Sequence, residues 1–169
     1  MLPKANVELD LCRDAEASGS RSRQSTDASF VLADVAATQD FGASLAKQLP
    51  SGALVLLKGP LGAGKTSLVQ GMAQALNITE PITSPTFAIA QHYPQGHPPL
   101  IHLDLYRLAD TAAADEIFCQ EEEEARRMGA VMVVEWPERL GIETAPAWHL
   151  EIRYFNEDQR KATLRWIST

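Results

Sequence analysis

The chain has 169 residues, 45% of them hydrophobic and 22% charged, which is enough for one compact domain and too short for two. Ten glycines and ten prolines exclude collagen-like and low-complexity chains. A formal net charge of −7 argues against gripping nucleic acid by bulk electrostatics, which needs clustered Lys and Arg, and leaves any nucleic-acid role indirect or local.

Residues 1–28 are rich in Ser, Arg, Asp and Ala, with periodicity only at Val7, Leu9 and Leu11. They are expected to form a flexible N-terminal extension ahead of a single domain over 29–169. They lack the roughly 7–15-residue apolar core of a signal peptide, and no apolar run elsewhere approaches the ~18 residues of a membrane span. Cys12 and Cys119 match no metal-ligand or redox spacing, as expected of free thiols in a reducing compartment. A soluble cytoplasmic protein without a membrane partner is the expectation.

Phe30, Val31 and Leu32 suggest a short strand, and the helix after it puts Phe41, Leu45 and Leu49 on one face until Pro50, Ser51 and Gly52 end it. Residues 53–58 hold a continuous apolar run, Leu54 to Leu57, of the kind found in a parallel strand covered on both faces. A Gly-rich turn follows, then Leu68, Val69, Met72 and Leu76 at helical spacing until Asn77. Strand, glycine loop and helix make the first half of a βαβ unit.

Residues 86–93 are strand-like, 100–105 form a second apolar strand ending in an acid, and 130–135 form a third. Two of these carry a carboxylate at or near the C-terminal end, the edge where open α/β sheets bind ligands. Between them, 110–128 is helical and charge-rich, and its four glutamates at 121–124 read as a solvated face. Residues 148–155 and 162–167 alternate apolar and polar positions as an antiparallel hairpin does. The fold class is therefore α/β: a sheet, mostly parallel in its core, with a C-terminal antiparallel hairpin and flanking helices, and P-loop NTPase-like through the turn Gly59-Pro60-Leu61-Gly62-Ala63-Gly64-Lys65-Thr66 between strand and helix.

Gly59-Pro60-Leu61-Gly62-Ala63-Gly64-Lys65-Thr66 fits G-x-x-x-x-G-K-[ST] between an apolar strand and an amphipathic helix, the context that gives this motif its meaning. Glycines let the loop turn its N–H groups inward around a polyphosphate, and the following helix adds the positive end of its dipole. The cofactors expected are ATP and Mg²⁺. Nucleotide contacts are expected from Gly59, Pro60, Leu61, Gly62, Ala63, Gly64, Lys65, Thr66 and Ser67. Lys65 suits the β- and γ-phosphates, and the Thr66 hydroxyl suits Mg²⁺.

Mg²⁺ takes oxygen ligands, commonly one or two carboxylates beside phosphate oxygens, so an acid on a neighbouring strand is needed. Asp104 ends the apolar run of 100–103, as a Walker-B acid does. Glu135, followed by Trp136 and Pro137, either completes the metal shell through water or orients the attacking water as a general base. Lys65, Asp104 and Glu135 are the candidate catalytic residues; Thr66, Asp104 and Glu135 are the candidate metal ligands. His92, His97, His102 and His149 lack metal-like spacing and are given no ligand role.

Four motifs in order, Leu61-Gly62-Ala63-Gly64-Lys65-Thr66, Ser84-Pro85-Thr86-Phe87, His102-Leu103-Asp104-Leu105-Tyr106-Arg107-Leu108 and Val134-Glu135-Trp136, resemble the bacterial TsaE (YjeE) family. The resemblance covers residues 30–167. It implies a small P-loop ATPase of tRNA threonylcarbamoyladenosine biosynthesis. Such an ATPase binds the TsaB–TsaD heterodimer and resets it for another turnover, while the partners place the threonylcarbamoyl group on adenosine 37 and hold most of the tRNA. Carried over by motif, Thr66 and Glu135 are Mg²⁺ ligands and Asp104 acts on metal or water. Ser84-Pro85-Thr86 corresponds to a switch-like loop near the γ-phosphate in which Thr86 senses the nucleotide state, although a proline beside two hydroxyls is equally an ordinary turn. Thr38 matches a helix residue near the base end of the nucleotide, although a Thr there is equally an ordinary helix cap. Arg160, in the hairpin turn, resembles an arginine that approaches the nucleotide; a solvated turn residue is the plainer alternative. Trp136 is open to partner-facing, base-stacking or packing roles.

Two other functions share the cradle. A small-molecule kinase needs an arginine-bearing lid; the one adjacent Arg pair after the P-loop helix, Arg126-Arg127, follows four glutamates. A non-hydrolysing, nucleotide-gated binding module is the other alternative, since P-loop hydrolysis without a partner is often slow. No Asn-Lys-x-Asp guanine-reading element occurs.

Overall fold

The computed structural model describes residues 27–83 and 88–168. Its elements in chain order are β1 (Ala28–Leu32), α1 (Val35–Ala46), β2 (Leu54–Lys58), α2 (Lys65–Ala75), β3 (Ala90–Tyr93), β4 (Leu100–Asp104), α3 (Thr111–Met128), β5 (Val131–Glu135), a 3-10 turn (Pro137–Arg139), β6 (Ala147–Tyr154) and β7 (Arg160–Ile167). The strands form one sheet in the order β1-β7-β6-β2-β5-β4-β3.

The continuous apolar runs become its interior. β2 pairs in parallel with β5 and β6, and β4 pairs in parallel with β5. Strands covered on both faces need apolar side chains at nearly every position; Leu54, Val55, Leu56 and Leu57 of β2, and all five residues of β5, are buried. The antiparallel members sit outside this core: β3 on β4 at one edge, and β7 between β6 and β1 at the other. The hairpin of β6 and β7 thus belongs to the main sheet, and β6 is one of its parallel strands. β1 begins at Ala28, and Asp27 pairs with Arg165 of β7, so residues 27 and 28 are tied to the sheet.

Two apolar layers flank the sheet. One joins Val55, Leu57, Val133 and Leu150 to Phe41 and Leu45 of α1 and to Leu68, Val69 and Met72 of α2. The other joins Leu56, Leu103 and Val134 to Ala114, Phe118 and Ala125 of α3. Helices α1 and α2 meet almost backbone to backbone: a Cβ at Gly71 would lie 1.9 Å from the Gln39 carbonyl oxygen, and one at Gly42 would lie 2.2 Å from that of Leu68. That contact seats α2 and, through it, the loop before it.

Local chemistry sets the helix ends. Asp34 caps α1, its carboxylate accepting from the Ala37 N–H at 2.7 Å; Thr38 is therefore not the cap. Helix α1 stops at Ala46, before the Pro50-Ser51-Gly52 stop, and its last turn closes through Leu49 N–H to the Leu45 carbonyl. Asn77 follows α2 at φ 60°, a left-handed conformation that Asn tolerates. Asp110 caps α3 through the Ala112 N–H. The four glutamates lie on α3, with Glu122 paired to Arg126, Glu124 to Arg127 and Glu121 to His92.

Candidate functional site

Because β2, β5 and β4 are parallel neighbours, their C-terminal ends lie side by side. Lys58 of β2 leads into the glycine loop, while Asp104 and Glu135 end β4 and β5 as register partners. A cleft of about 330 Å³ opens there, lined by Leu61, Gly62, Gly64, Lys65, Thr66, Ser67, Asp104, Tyr106, Glu135 and Trp136. Residues more than 60 positions apart in the chain thus share one space of a size suited to a small polar ligand.

The loop is built as a cradle. Gly59 has φ 154°, and a Cβ there would lie 2.4 Å from the Ile152 carbonyl oxygen, so the loop presses against β6. Gly64 is the N-cap of α2 in the left-handed region, at φ 99°, with no side-chain cap hydrogen bond. The first-turn N–H groups of a helix have no intrahelical acceptor. Helices α1 and α3 satisfy part of this demand with the carboxylates of Asp34 and Asp110. The α2 N-terminus has no such carboxylate and faces the cleft, an arrangement that suits an anion.

Lys65 is 5% exposed. Its ammonium donates to the carbonyls of Gly59 at 2.8 Å and Pro60 at 3.0 Å, and lies 4.5 Å from the centre of the Trp136 ring. Burial pulls its pKa below the ordinary lysine value, opposed by the nearby charges of Glu135, Asp104 and Glu138. Trp136 holds a left-handed conformation at φ 58° and packs on Tyr106 with ring centres 4.9 Å apart. Together the two rings wall the cleft beside the lysine.

Asp104 is 9% and Glu135 3% exposed, so both carboxylates are largely withdrawn from bulk water. The Tyr106 N–H donates to Asp104 Oδ1 at 2.9 Å, and His102 Nε2 lies 2.9 Å from Glu135 Oε1. A threonine hydroxyl and two carboxylates lining one cleft at the glycine loop are the kind of hard oxygen donors that Mg²⁺ takes.

Among the remaining nucleotide candidates, Thr38 lies behind the loop. Its hydroxyl donates to the Asp34 carbonyl at 3.0 Å, and its methyl would be 3.7 Å from a Cβ on Gly64. Arg160 opens β7, with its guanidinium 4.4 Å from the centre of the Tyr154 ring. The Tyr154 hydroxyl in turn donates to the Leu61 carbonyl at 2.8 Å, so Arg160 reaches the loop through a tyrosine. Thr86, with Ser84, Pro85 and Phe87, lies outside the described residues. Sequence reasoning missed His102 and Tyr154. The available signals were position, His102 being two residues before Asp104 and so on the same strand face, and Tyr154 ending the strand that meets the hairpin turn.

A family model for "Threonylcarbamoyl adenosine biosynthesis protein TsaE" matches residues 32–163. The chain belongs to the TsaE family. Among relatives bearing the name tRNA threonylcarbamoyladenosine biosynthesis protein TsaE, the Synechocystis sp. protein is 50% identical over 113 residues, 66% of this chain and 71% of its own. The Nostoc sp. protein is 39% identical over 136 residues, covering 79% and 82%. The Mycobacterium bovis protein is 42% identical over 137 residues, covering 76% and 81%. The crystal structure of Bacillus subtilis YdiB superimposes with a TM-score of 0.69 at 25% identity, over 87% of this chain and 90% of that one. For this TsaE family member the match begins at the last residue of β1 and ends inside β7, so it takes in the whole cleft. No helix among the described residues is long and apolar enough to cross a membrane.

Proposed function

We propose that this chain is the ATP-hydrolysing component of tRNA threonylcarbamoyladenosine biosynthesis, working on a TsaB–TsaD complex that carries the transfer to adenosine 37 and most of the tRNA contact. The supporting observation is the convergence of Lys65, Thr66, Asp104 and Glu135 on one cleft at the mouth of the glycine loop. Membership of the TsaE family supports the pathway.

In this mechanism the N–H groups from Gly59 to Ser67 receive the phosphates, and Lys65 leaves its carbonyl partners to follow the β/γ charge. Thr66 would hold Mg²⁺, with Asp104 and Glu135 as ligands directly or through water. When bound, the cation would neutralise charge on the β- and γ-oxygens. Glu135 also has the alternative duty of orienting the attacking water. Trp136 and Tyr106 keep water from the flank of Lys65. Thr38 shapes the loop through Gly64, which favours a supporting contribution over a polar contact with the base. Arg160 acts through Tyr154, and Thr86 is the proposed sensor of the nucleotide state.

Phosphate release from MgATP by the full chain, alone and with TsaB–TsaD, tests this. Partner-dependent release is expected. A phosphorylated small acceptor in place of free phosphate would make the chain a kinase, and tight ATP binding with no turnover under either condition would make it a nucleotide-gated binding module.

A further inference from the structure

His102 stands two residues before Asp104 on β4, on the same side of the sheet, beside its register partner Val133 of β5. Its ring is fully buried, at 0% exposure. Nε2 lies 2.9 Å from Glu135 Oε1, while Nδ1 has no hydrogen-bond partner among the described residues. The hydrogen bond is buried at both ends, His102 at 0% and Glu135 at 3% exposure, and a buried polar pair is costly to separate.

We propose that His102 is a positioning residue: by occupying Oε1 it fixes the rotation of the Glu135 carboxylate and reserves Oε2 for the cleft that Glu135 lines. The inference rests on the ATPase reading of that cleft. Full burial keeps the ring from touching nucleotide or cation itself, so its effect passes through Glu135. A buried partner that orients an active-site acid contributes through geometry, and losing it typically lowers activity roughly 10-fold to 100-fold.

Three full-length proteins separate positioning from packing: wild type, His102→Phe, which keeps a ring and loses the hydrogen bond, and His102→Gln, whose amide can form one near the place of Nε2. Turnover and KM for MgATP with TsaB–TsaD, ATP affinity by calorimetry, and imidazole ¹⁵N NMR of wild type and Glu135→Gln are the readouts. The wild-type ring resonances are expected to move in Glu135→Gln, as contact with Oε1 requires. His102→Phe should lower kcat roughly 10-fold to 100-fold with ATP affinity within about threefold of wild type, and His102→Gln should recover most of the loss. Wild-type kcat in His102→Phe, an equal loss in His102→Gln, or imidazole resonances unmoved in Glu135→Gln overturns the inference. If His102→Phe does not fold, His102→Gln and the imidazole spectra decide. A wild-type chain that turns over no ATP sinks the ATPase reading itself, whereas normal wild-type turnover with an unaffected His102→Phe sinks this inference alone.

Discussion

Replacing Lys65 by alanine perturbs the cleft where its chemistry is concentrated. In the free protein the ammonium makes two hydrogen bonds, to Gly59 at 2.8 Å and Pro60 at 3.0 Å, and covers the Trp136 ring. Both carbonyls belong to a loop open to the cleft, so water can replace the ammonium, and the loss of fold stability should stay near ~1 kcal/mol. Binding loses more. A hydrogen bond to a charged group nets about 1.5–3 kcal/mol, and Lys65 offers two to the phosphates, a loss of about 3–6 kcal/mol. At about 1.4 kcal/mol per tenfold, ATP affinity should fall roughly 10²- to 10⁴-fold. Calorimetric titration with MgATP, alongside thermal denaturation without nucleotide, separates the two effects. An affinity within about threefold of wild type would refute the assignment of Lys65 to the phosphates.

The same lysine carries a pH signature. Burial lowers its pKa in the folded protein below the value of the unfolded chain. The unfolded chain therefore binds more protons between the two values, and this group makes the nucleotide-free protein more stable as pH rises through that window. A bound triphosphate favours the charged form and raises the pKa, so ATP affinity should fall as pH climbs through the depressed value. Lys65→Arg, charged throughout, should flatten that decline; a decline unchanged in Lys65→Arg would assign it to another group.

Glu135→Ala should lower turnover far more than ATP affinity, because an acid acting on water or charge near the γ-phosphate works mostly in the transition state; equal losses in both would make it a ground-state ligand. Gly71→Ala gains about 1 kcal/mol of helix propensity. It also drives a Cβ to 1.9 Å from the Gln39 backbone oxygen, and overpacking of this kind costs about 1–3 kcal/mol or more. Net destabilisation is expected, with a Tm drop of a few degrees that Gln74→Ala on the exposed side of the same helix does not share; no difference between the two would contradict the backbone contact. Tyr154→Phe removes the hydrogen bond to Leu61. ATP affinity should weaken roughly two- to fivefold with global stability within ~1 kcal/mol, measured by calorimetry and urea unfolding; tighter binding would reverse the supporting role given to the tyrosine.

What the sequence made legible is what it encodes locally. The loop from Gly59 to Thr66 is a contiguous pattern between a strand and a helix, and β2, β4 and β5 are unbroken apolar runs, so each could be placed without its neighbours. The acids at 104 and 135 were visible as strand-end carboxylates, but their adjacency depends on β4 and β5 being paired in register, a non-local fact. Spacing to other histidines gives His102 no ligand role, whereas its contact with Glu135 follows from which face of β4 it occupies and what β5 sets beside it. The link from Tyr154 to Leu61 and the pairing of Ala28 with Leu164 join residues distant in the chain, and no local pattern announces either. Thr is a common helix cap, but Asp34, four residues before Thr38, supplies a carboxylate acceptor and holds the position.

A crystal structure of the full chain with Mg²⁺ and a non-hydrolysable ATP analogue tests the central claim most directly. The account predicts phosphates on the amides between Gly59 and Ser67, Lys65 Nζ moved from the Gly59 and Pro60 carbonyls to the β/γ-oxygens, and the cation bound to the Thr66 hydroxyl on the side of Asp104 and Glu135. A nucleotide seated elsewhere, or a cation with neither carboxylate in its direct or water-mediated shell, would contradict it.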